Sequence, residues 1–304
     1  MNISIKKYAA IDIGSNAVRL LIANVIESDG EEPKFKKSAL IRVPIRLGAD
    51  VFKSKNITQE NIERMVDTMN AFKLLMRAHK VIEYRACATS AMREANNGAE
   101  VAKIVKKQTG INISIIDGKD EASIIANTDL QSLIESEKTY LYVDVGGGST
   151  EFTLYSNGAV VDSKSFKLGT VRLLEGLVGH AIWEEVELWI REVTKGYSKI
   201  DLIGSGGNIN KIFKLSGKKP GKPLSYFYMV TFYEYIQSYS YEERIVELAL
   251  NDDRADVIIP ATRIYLSAMK WSRAKNIHVP KIGLSDGIIK SLYNDKKSIE
   301  PINF

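Results

Sequence analysis

Two stretches of this chain, far apart in sequence, are written in the same grammar. Tyr142-Val143-Asp144-Val145-Gly146-Gly147-Gly148-Ser149-Thr150-Glu151 is an apolar strand that delivers one aspartate to a turn of glycines, hydroxyls and a carboxylate. Tyr8-Ala9-Ala10-Ile11-Asp12-Ile13-Gly14-Ser15-Asn16 repeats it: apolar strand, aspartate, apolar residue, glycine, small polar residues. Each copy runs on into a second alternating strand, over residues 17–25 and 152–155. Taken alone, either copy also reads as an ordinary hairpin with Asp and Gly as turn formers. Their recurrence about half a chain apart points to an internal duplication, and the period is too long for a solenoid. Two similar domains are therefore expected, with the turns meeting across a cleft and Asp12 and Asp144 on opposite walls.

The chemistry of such a turn follows from its residues. Glycine has no Cβ, so backbone N–H groups can come close to an anion, and successive N–H groups form an anion-binding nest. A neighbouring aspartate can hold a divalent cation, usually Mg²⁺ when phosphate oxygens share its shell.

Composition narrows the ligands. The net charge of +5, with a pI of about 9.0, favours polyanions without any basic run or motif that reads nucleic acid. His79, His180 and His278 are widely separated and lack metal-ligand spacing. An apolar fraction of 45% is ordinary for a globular chain, and no apolar run approaches the ~18 residues of a membrane span. Cys87 is the only cysteine and strand pattern begins by Tyr8, so a cytoplasmic protein without signal peptide or membrane partner is expected.

Between and after the two turns lie further candidates. Strand pattern over 38–47 precedes a helix capped by Thr58, with Ile62, Met65, Val66, Met69 and Phe72 on one face. A strand over 82–88 ends in Ala88-Thr89-Ser90-Ala91-Met92-Arg93. Hydroxyls and a guanidinium after a strand end suit phosphate, although taken singly a capped helix with a solvated arginine is the simpler account. Asp117-Gly118-Lys119-Asp120-Glu121 opens a helix expected to reach about Glu135. Its acids fit the helix dipole, and Glu121 also fits a carboxylate that takes a proton from water. Gly204-Ser205-Gly206-Gly207-Asn208 is a glycine-rich strand-to-helix turn suited to an anion. Lys214, Lys218, Lys219 and Lys222 form a solvated loop or steer a polyanion. Later helices are expected over 232–238, 242–250, 261–275 and 288–293. The first domain is expected over 1–122, the second over 123–285, with a hinge near 118–125. The last helix, about 286–304, packs back on the first domain.

In order along the chain, Asp12-Ile13-Gly14-Ser15-Asn16 with Arg19-Leu20, Thr89-Ser90-Ala91-Met92-Arg93, Gly118 with Glu121-Ala122, and Asp144 to Glu151 form one set. Gly169 with Val171-Arg172-Leu173, Gly204-Ser205-Gly206-Gly207, Arg254-Ala255-Asp256-Val257 and Gly283-Leu284 with Gly287 complete it. This ordered set resembles the exopolyphosphatase / guanosine pentaphosphate phosphohydrolase family of the actin-like, chaperone and sugar-kinase superfamily. The resemblance implies an α/β fold of duplicated ribonuclease-H-like domains around an interdomain cleft. It further implies release of terminal phosphate from inorganic polyphosphate or guanosine pentaphosphate with Mg²⁺, or Mn²⁺ in its place. By the same resemblance Glu121 is the base and Glu151 a second catalytic carboxylate. Asp12, Asp144 and Glu151 hold the metal, and Ser15, Asn16, Thr89, Ser90, Arg93, Gly146, Gly147, Gly148 and Ser149 bind phosphate. Gly204, Gly206, Gly207 and Lys214 are candidates for a nucleotide or polyanion.

The chain departs from the family in reading Asp117-Gly118-Lys119-Asp120-Glu121-Ala122-Ser123 where Ser-Gly-x-Glu-Glu-Ala-Arg is common. A phosphate- or alarmone-binding regulator without turnover is therefore the alternative to a hydrolase, and a kinase of the same superfamily is a third reading. A homodimer is expected on base rate alone.

Overall fold

Alternating and fully apolar runs build two five-strand frameworks of one design. The computed structural model describes residues 2–126, 128, 134–135 and 137–297. The chain divides into two compact units, Met1–Thr128 with Gly283–Phe304, and Asp129–Ile282.

In the first unit β1 (Ile3–Ile13), β2 (Val18–Ser28) and β3 (Lys34–Val43) form an antiparallel meander. On its other side β1 pairs in parallel with β4 (Glu83–Ala88), which pairs in parallel with β5 (Ile113–Ile115). The sheet order is β3-β2-β1-β4-β5. Ala9, Ala10, Ile11 and Ile13 are all buried, as expected where both faces of a strand are covered.

One layer is the helix Gln59–Ala78, whose N-cap Thr58 accepts from the Asn61 N–H and whose Ile62, Met65, Val66, Met69 and Phe72 are buried. The helix Leu284–Lys297 supplies another. Its Tyr293 ring meets Tyr8 and Phe35 edge-on, at 6.2 and 5.6 Å, and its hydroxyl donates to Glu27 at 2.8 Å. Gly287 lies so close to the helix Gly118–Ala126 that an added Cβ would stand 2.2 Å from the Ile124 carbonyl oxygen.

The second unit repeats the plan. Strands β6 (Thr139–Val145), β7 (Thr150–Ser156) and β8 (Ala159–Phe166) form the meander. Here β6 pairs in parallel with β9 (Ile200–Ser205), and β9 with β11 (Asn276–His278). The short β10 (Leu224–Ser225) is added antiparallel at the edge. With the short edge strand β10 set aside, both units run third, second, first, fourth and last strand across the sheet, the duplicated ribonuclease-H-like arrangement. The core packs β6, β7 and β9 against helices that include His180–Val193 and Ile258–Ser272. Phe152, Phe166 and Trp189 pack mutually at 5.8–6.2 Å in that core.

Several boundaries differ from the periodicity reading. The strand expected over 38–47 ends at Val43, and Leu47 opens a helix, Leu47–Ser54, that the alternation concealed. The helix expected over 242–250 is Tyr241–Val246, and that expected over 261–275 is Ile258–Ser272. The continuation of the helix at 118 toward Glu135 falls largely outside the described residues. Among the described residues no helix is long and apolar enough to cross a membrane.

Candidate active site

Each of the two turns is closed by the same backbone bond. Gly14 N–H donates to Ala17 O at 3.1 Å, and Gly146 N–H donates to Ser149 O at 2.9 Å. Each is also backed by the start of the helix that follows the third strand. In the first unit Arg46 N–H reaches Asn16 O at 3.0 Å and Gly48 N–H reaches Ser15 O at 2.7 Å. In the second, Thr170 N–H reaches Gly146 O at 3.0 Å and Val171 N–H reaches Gly147 O at 2.9 Å. Arg172 Nε adds a bond of 2.7 Å to Gly148 O.

All four carbonyls of the second turn are therefore engaged, while no described residue accepts from the N–H groups of Gly147 or Gly148. That polarity suits an anion. Glycine is required behind the turn, because a Cβ on Gly169 would stand 2.3 Å from Gly147 O.

Register sets the charges. Asp144 on β6 stands directly opposite Glu151 on β7. Opposed residues of an antiparallel pair share a face, with Cβ atoms about 4.5–5.5 Å apart. Glu151 is buried, and its Oε1 accepts from Ser149 Oγ at 2.6 Å and Ser165 Oγ at 2.8 Å. The Ser149 hydroxyl, expected on phosphate, is thus turned to Glu151. The Asp144 charge acts on the buried phenols of Tyr142 and Tyr265. Burial pushes both phenols well above their ordinary range, and the Asp144 charge adds to it. Gly206, at φ 111°, closes on the same strand end, where an added Cβ would lie 3.0 Å from Val145 O and 3.4 Å from Asp144 Oδ1.

Gly204 serves packing instead: a Cβ there would strike Ile277 and Ile209 at 2.8 and 3.1 Å. Gly207 begins the helix Gly207–Leu215, and Lys214 is exposed in its last turn.

In the first unit the equivalent opposed pair is Asp12 and Arg19. Arg19 Nη1 lies 3.5 Å from Asp12 Oδ2. Burial pushes the Asp12 carboxyl above the usual carboxylate range, and Arg19 opposes that shift. Around this turn Thr89 N–H bonds Ile13 O, tying the end of β4 to the end of β1. Buried Ser15 and Ser90 share a hydroxyl contact of 2.8 Å. Thr89 precedes the helix Ser90–Glu94 without a side-chain cap bond, so capping does not account for its hydroxyl. Arg93 Nη1 donates to Ile116 O at 2.7 Å, which holds the guanidinium beside the end of β5.

Glu121 sits in the first turn of Gly118–Ala126, half-buried, with Oε2 shielded from solvent. The helix start is capped by Asp117, whose Oδ1 accepts from Lys119 and Asp120 N–H at 2.8 Å each. Those backbone donors, Asp120 first, hold the Asp117 carboxyl below its ordinary range. Cys87, opposite Asp12 on β4, reports the local field. Burial pushes its thiol up to about 11; Arg85 opposes the shift, and the charges of Asp12, Glu121 and Asp120 reinforce it.

Among the described residues no three His, Cys, Asp or Glu side chains form a ready-made metal cage. Mg²⁺ does not need one, since it keeps waters and takes one or two carboxylates plus substrate phosphates. Asp144 and Glu151, opposed in register beside the glycine turn, fit that donor set.

The sequence reading gave no role to Ser165 or Gly48, and none to Gly169 or Arg19 beyond their places in motifs. One signal was available: Arg19 follows Asp12 at the spacing by which Glu151 follows Asp144.

The model of the Ppx/GppA phosphatase family matches residues 39–296. Over 171 residues the chain is 37% identical to a bifunctional 3-dehydroquinate synthase/phosphatase of Fusobacterium nucleatum, covering 55% of this chain and 26% of that protein. Over 170 residues it is 29% identical to exopolyphosphatase 1 of Mycobacterium leprae, covering 55% and 48%. The matched segment thus spans less than half the length of either relative. The crystal structure of the Aquifex aeolicus Ppx/GppA family member superposes with a TM-score of 0.76 at 26% identity, covering 96% of this chain and 99% of that one. An exopolyphosphatase from Cytophaga hutchinsonii shares the fold at a TM-score of 0.79 and 22% identity, covering 97% and 99%. With the family match extending over most of its length and the duplicated turns in place, this chain belongs to the Ppx/GppA phosphatase family.

Proposed function

We propose that this chain is a Mg²⁺-dependent phosphohydrolase that releases terminal orthophosphate from inorganic polyphosphate, with guanosine pentaphosphate as the alternative substrate. The observation that carries the reading is the opposed pair Asp144 and Glu151 beside a turn whose carbonyls are engaged from behind. The family match and the exopolyphosphatase relatives support the substrate class.

In this reading the N–H groups of Gly147 and Gly148 receive phosphate oxygens, and Ser149 and Ser165 hold Glu151 in place. Ser15, Asn16, Thr89, Ser90 and Arg93 are further candidate donors to phosphate. Asp144 and Glu151 would hold Mg²⁺, and the chemistry it would supply there is neutralisation of charge on the phosphate. Glu121 takes a proton from the water whose oxygen attacks phosphorus. The bond from phosphorus to the bridging oxygen breaks, and that oxygen leaves with the shortened chain.

Orthophosphate release with Mg²⁺ tests this, comparing long-chain polyphosphate, short-chain polyphosphate, guanosine pentaphosphate and ATP. Release from a polyphosphate or the pentaphosphate, lost in Glu121→Gln, is the expected result. Binding without release from any of them would replace the hydrolase by a regulator.

A further inference from the structure

We propose that the second unit carries a separate binding site for a small organic anion, one whose charge is borne on an apolar or aromatic body. The site is a cavity of about 410 Å³, within the size range of pockets that take small molecules. Every residue that lines it belongs to the second unit. Leu173, Leu174, Ile259 and Pro260 supply an apolar wall, and Tyr241 adds a ring. Thr170 and Val171 of the helix Thr170–Leu174 hold the glycine turn, so this cavity and the candidate active site share an element but no residue.

Two guanidinium groups line the same cavity, from Arg244 and Arg263. Backbone carbonyls fix the first: Arg244 Nε donates to Tyr239 O and Ser240 O at 3.2 Å each, and Nη1 donates to Ala255 O. Its Nη2 meets no acceptor among the described residues. Arg263 lies over the Trp183 ring, 4.5 Å from the centroid, and donates to no described residue. Neither arginine forms an ion pair among the described residues. The one carboxylate in the lining is Asp256, whose Oδ1 is shielded from solvent. Two cations thus stand against one acid, and a guanidinium fork set in place before a ligand arrives matches a carboxylate, sulfonate or phosphate group. An inorganic anion would answer the charge and leave the apolar wall wet. Leu174 is 44% exposed, and an apolar body seated beside the arginines would cover it.

The test is a fluorescence titration of the full chain with anilinonaphthalene sulfonate, an aromatic anion that brightens in apolar surroundings. Phenylnaphthylamine, the same body without the sulfonate, is titrated in parallel. The expected result is a single saturable site for the sulfonate, with the uncharged probe bound about tenfold more weakly or less. Arg263→Gln should weaken the sulfonate about tenfold, and Leu174→Ser about fivefold through lost apolar contact. Phe227→Ser, which removes a ring 79% exposed and outside the cavity, should leave affinity within about twofold.

No binding of the sulfonate overturns the proposal. So do equal affinities for the two probes, a titration that Arg263→Gln leaves unchanged, or one abolished by Phe227→Ser. The comparison of the two probes on the unsubstituted chain decides even where a variant does not fold.

Discussion

Glu151 stands opposite Asp144 across the β6–β7 hairpin and receives two hydroxyls on a single oxygen, from Ser149 and Ser165. A carboxylate held from two sides loses rotamer freedom before any ligand arrives, which is how supporting residues pre-set a site. Ser165 lies on the third strand, so the meander itself fixes this geometry. Ser165→Ala should lower turnover by about tenfold or more, in the range seen for supporting partners of ligating groups, with little change in folding stability. Steady-state kinetics beside thermal melts would separate the two effects.

Glu121→Gln keeps the size of the side chain and removes its basicity. Turnover should fall by about 10²–10⁴, with substrate binding nearly intact. Unchanged turnover would remove Glu121 from the base role.

Arg93→Ala should weaken capture as well as rate, because it removes a charge-assisted donor. It also releases the Ile116 carbonyl from a 2.7 Å bond. Arg93→Lys, a point charge without the fork, should recover part of the rate. A full recovery would mean that only charge matters at this position.

Gly169→Ala should distort the second turn, since the new methyl would overlap the Gly147 carbonyl, which is backbone and cannot rotate away. The expected loss is about 1–3 kcal/mol of stability, together with phosphate binding. Gly179→Ala, where the methyl meets open space, should stay within about 0.5 kcal/mol. Chemical denaturation of both variants checks the contrast.

Tyr293 gives a pH signature to the packing of Leu284–Lys297. Burial first, then its hydrogen bond to Glu27, pushes its hydroxyl from 10.0 up to about 12. The folded state therefore holds this proton more tightly than the unfolded chain. The contribution is fully present below about pH 10 and is lost as pH rises through about 12. Between those limits the wild-type protein should lose on the order of 2 kcal/mol more stability than Tyr293→Phe. Parallel denaturation curves across that pH range would refute the assignment.

The two turns were legible in the sequence because their constraints are local. A strand needs apolar residues, a close backbone approach needs glycine, and Thr58 announces a helix start through capping chemistry that involves only near neighbours. Leu47–Ser54 was not legible. Its first residue continues an apolar alternation, and its start is fixed by bonds to Ser15 and Asn16, far back in the chain. Ser165 was equally silent, a hydroxyl on an exposed edge strand whose partner is set only by β7–β8 register.

The sequence by itself determined the duplication and the identity of the carboxylates, because residue type and spacing carry charge and backbone freedom. Only the tertiary structure decided which charges face one another. Strand register placed Arg19 against Asp12 and Glu151 against Asp144. It also turned the Ser149 hydroxyl toward Glu151 and closed the Thr170–Leu174 helix on the turn. Those pairings depend on distances between residues that no local rule relates, and they separate two turns that are alike in sequence into two with opposite electrostatic character.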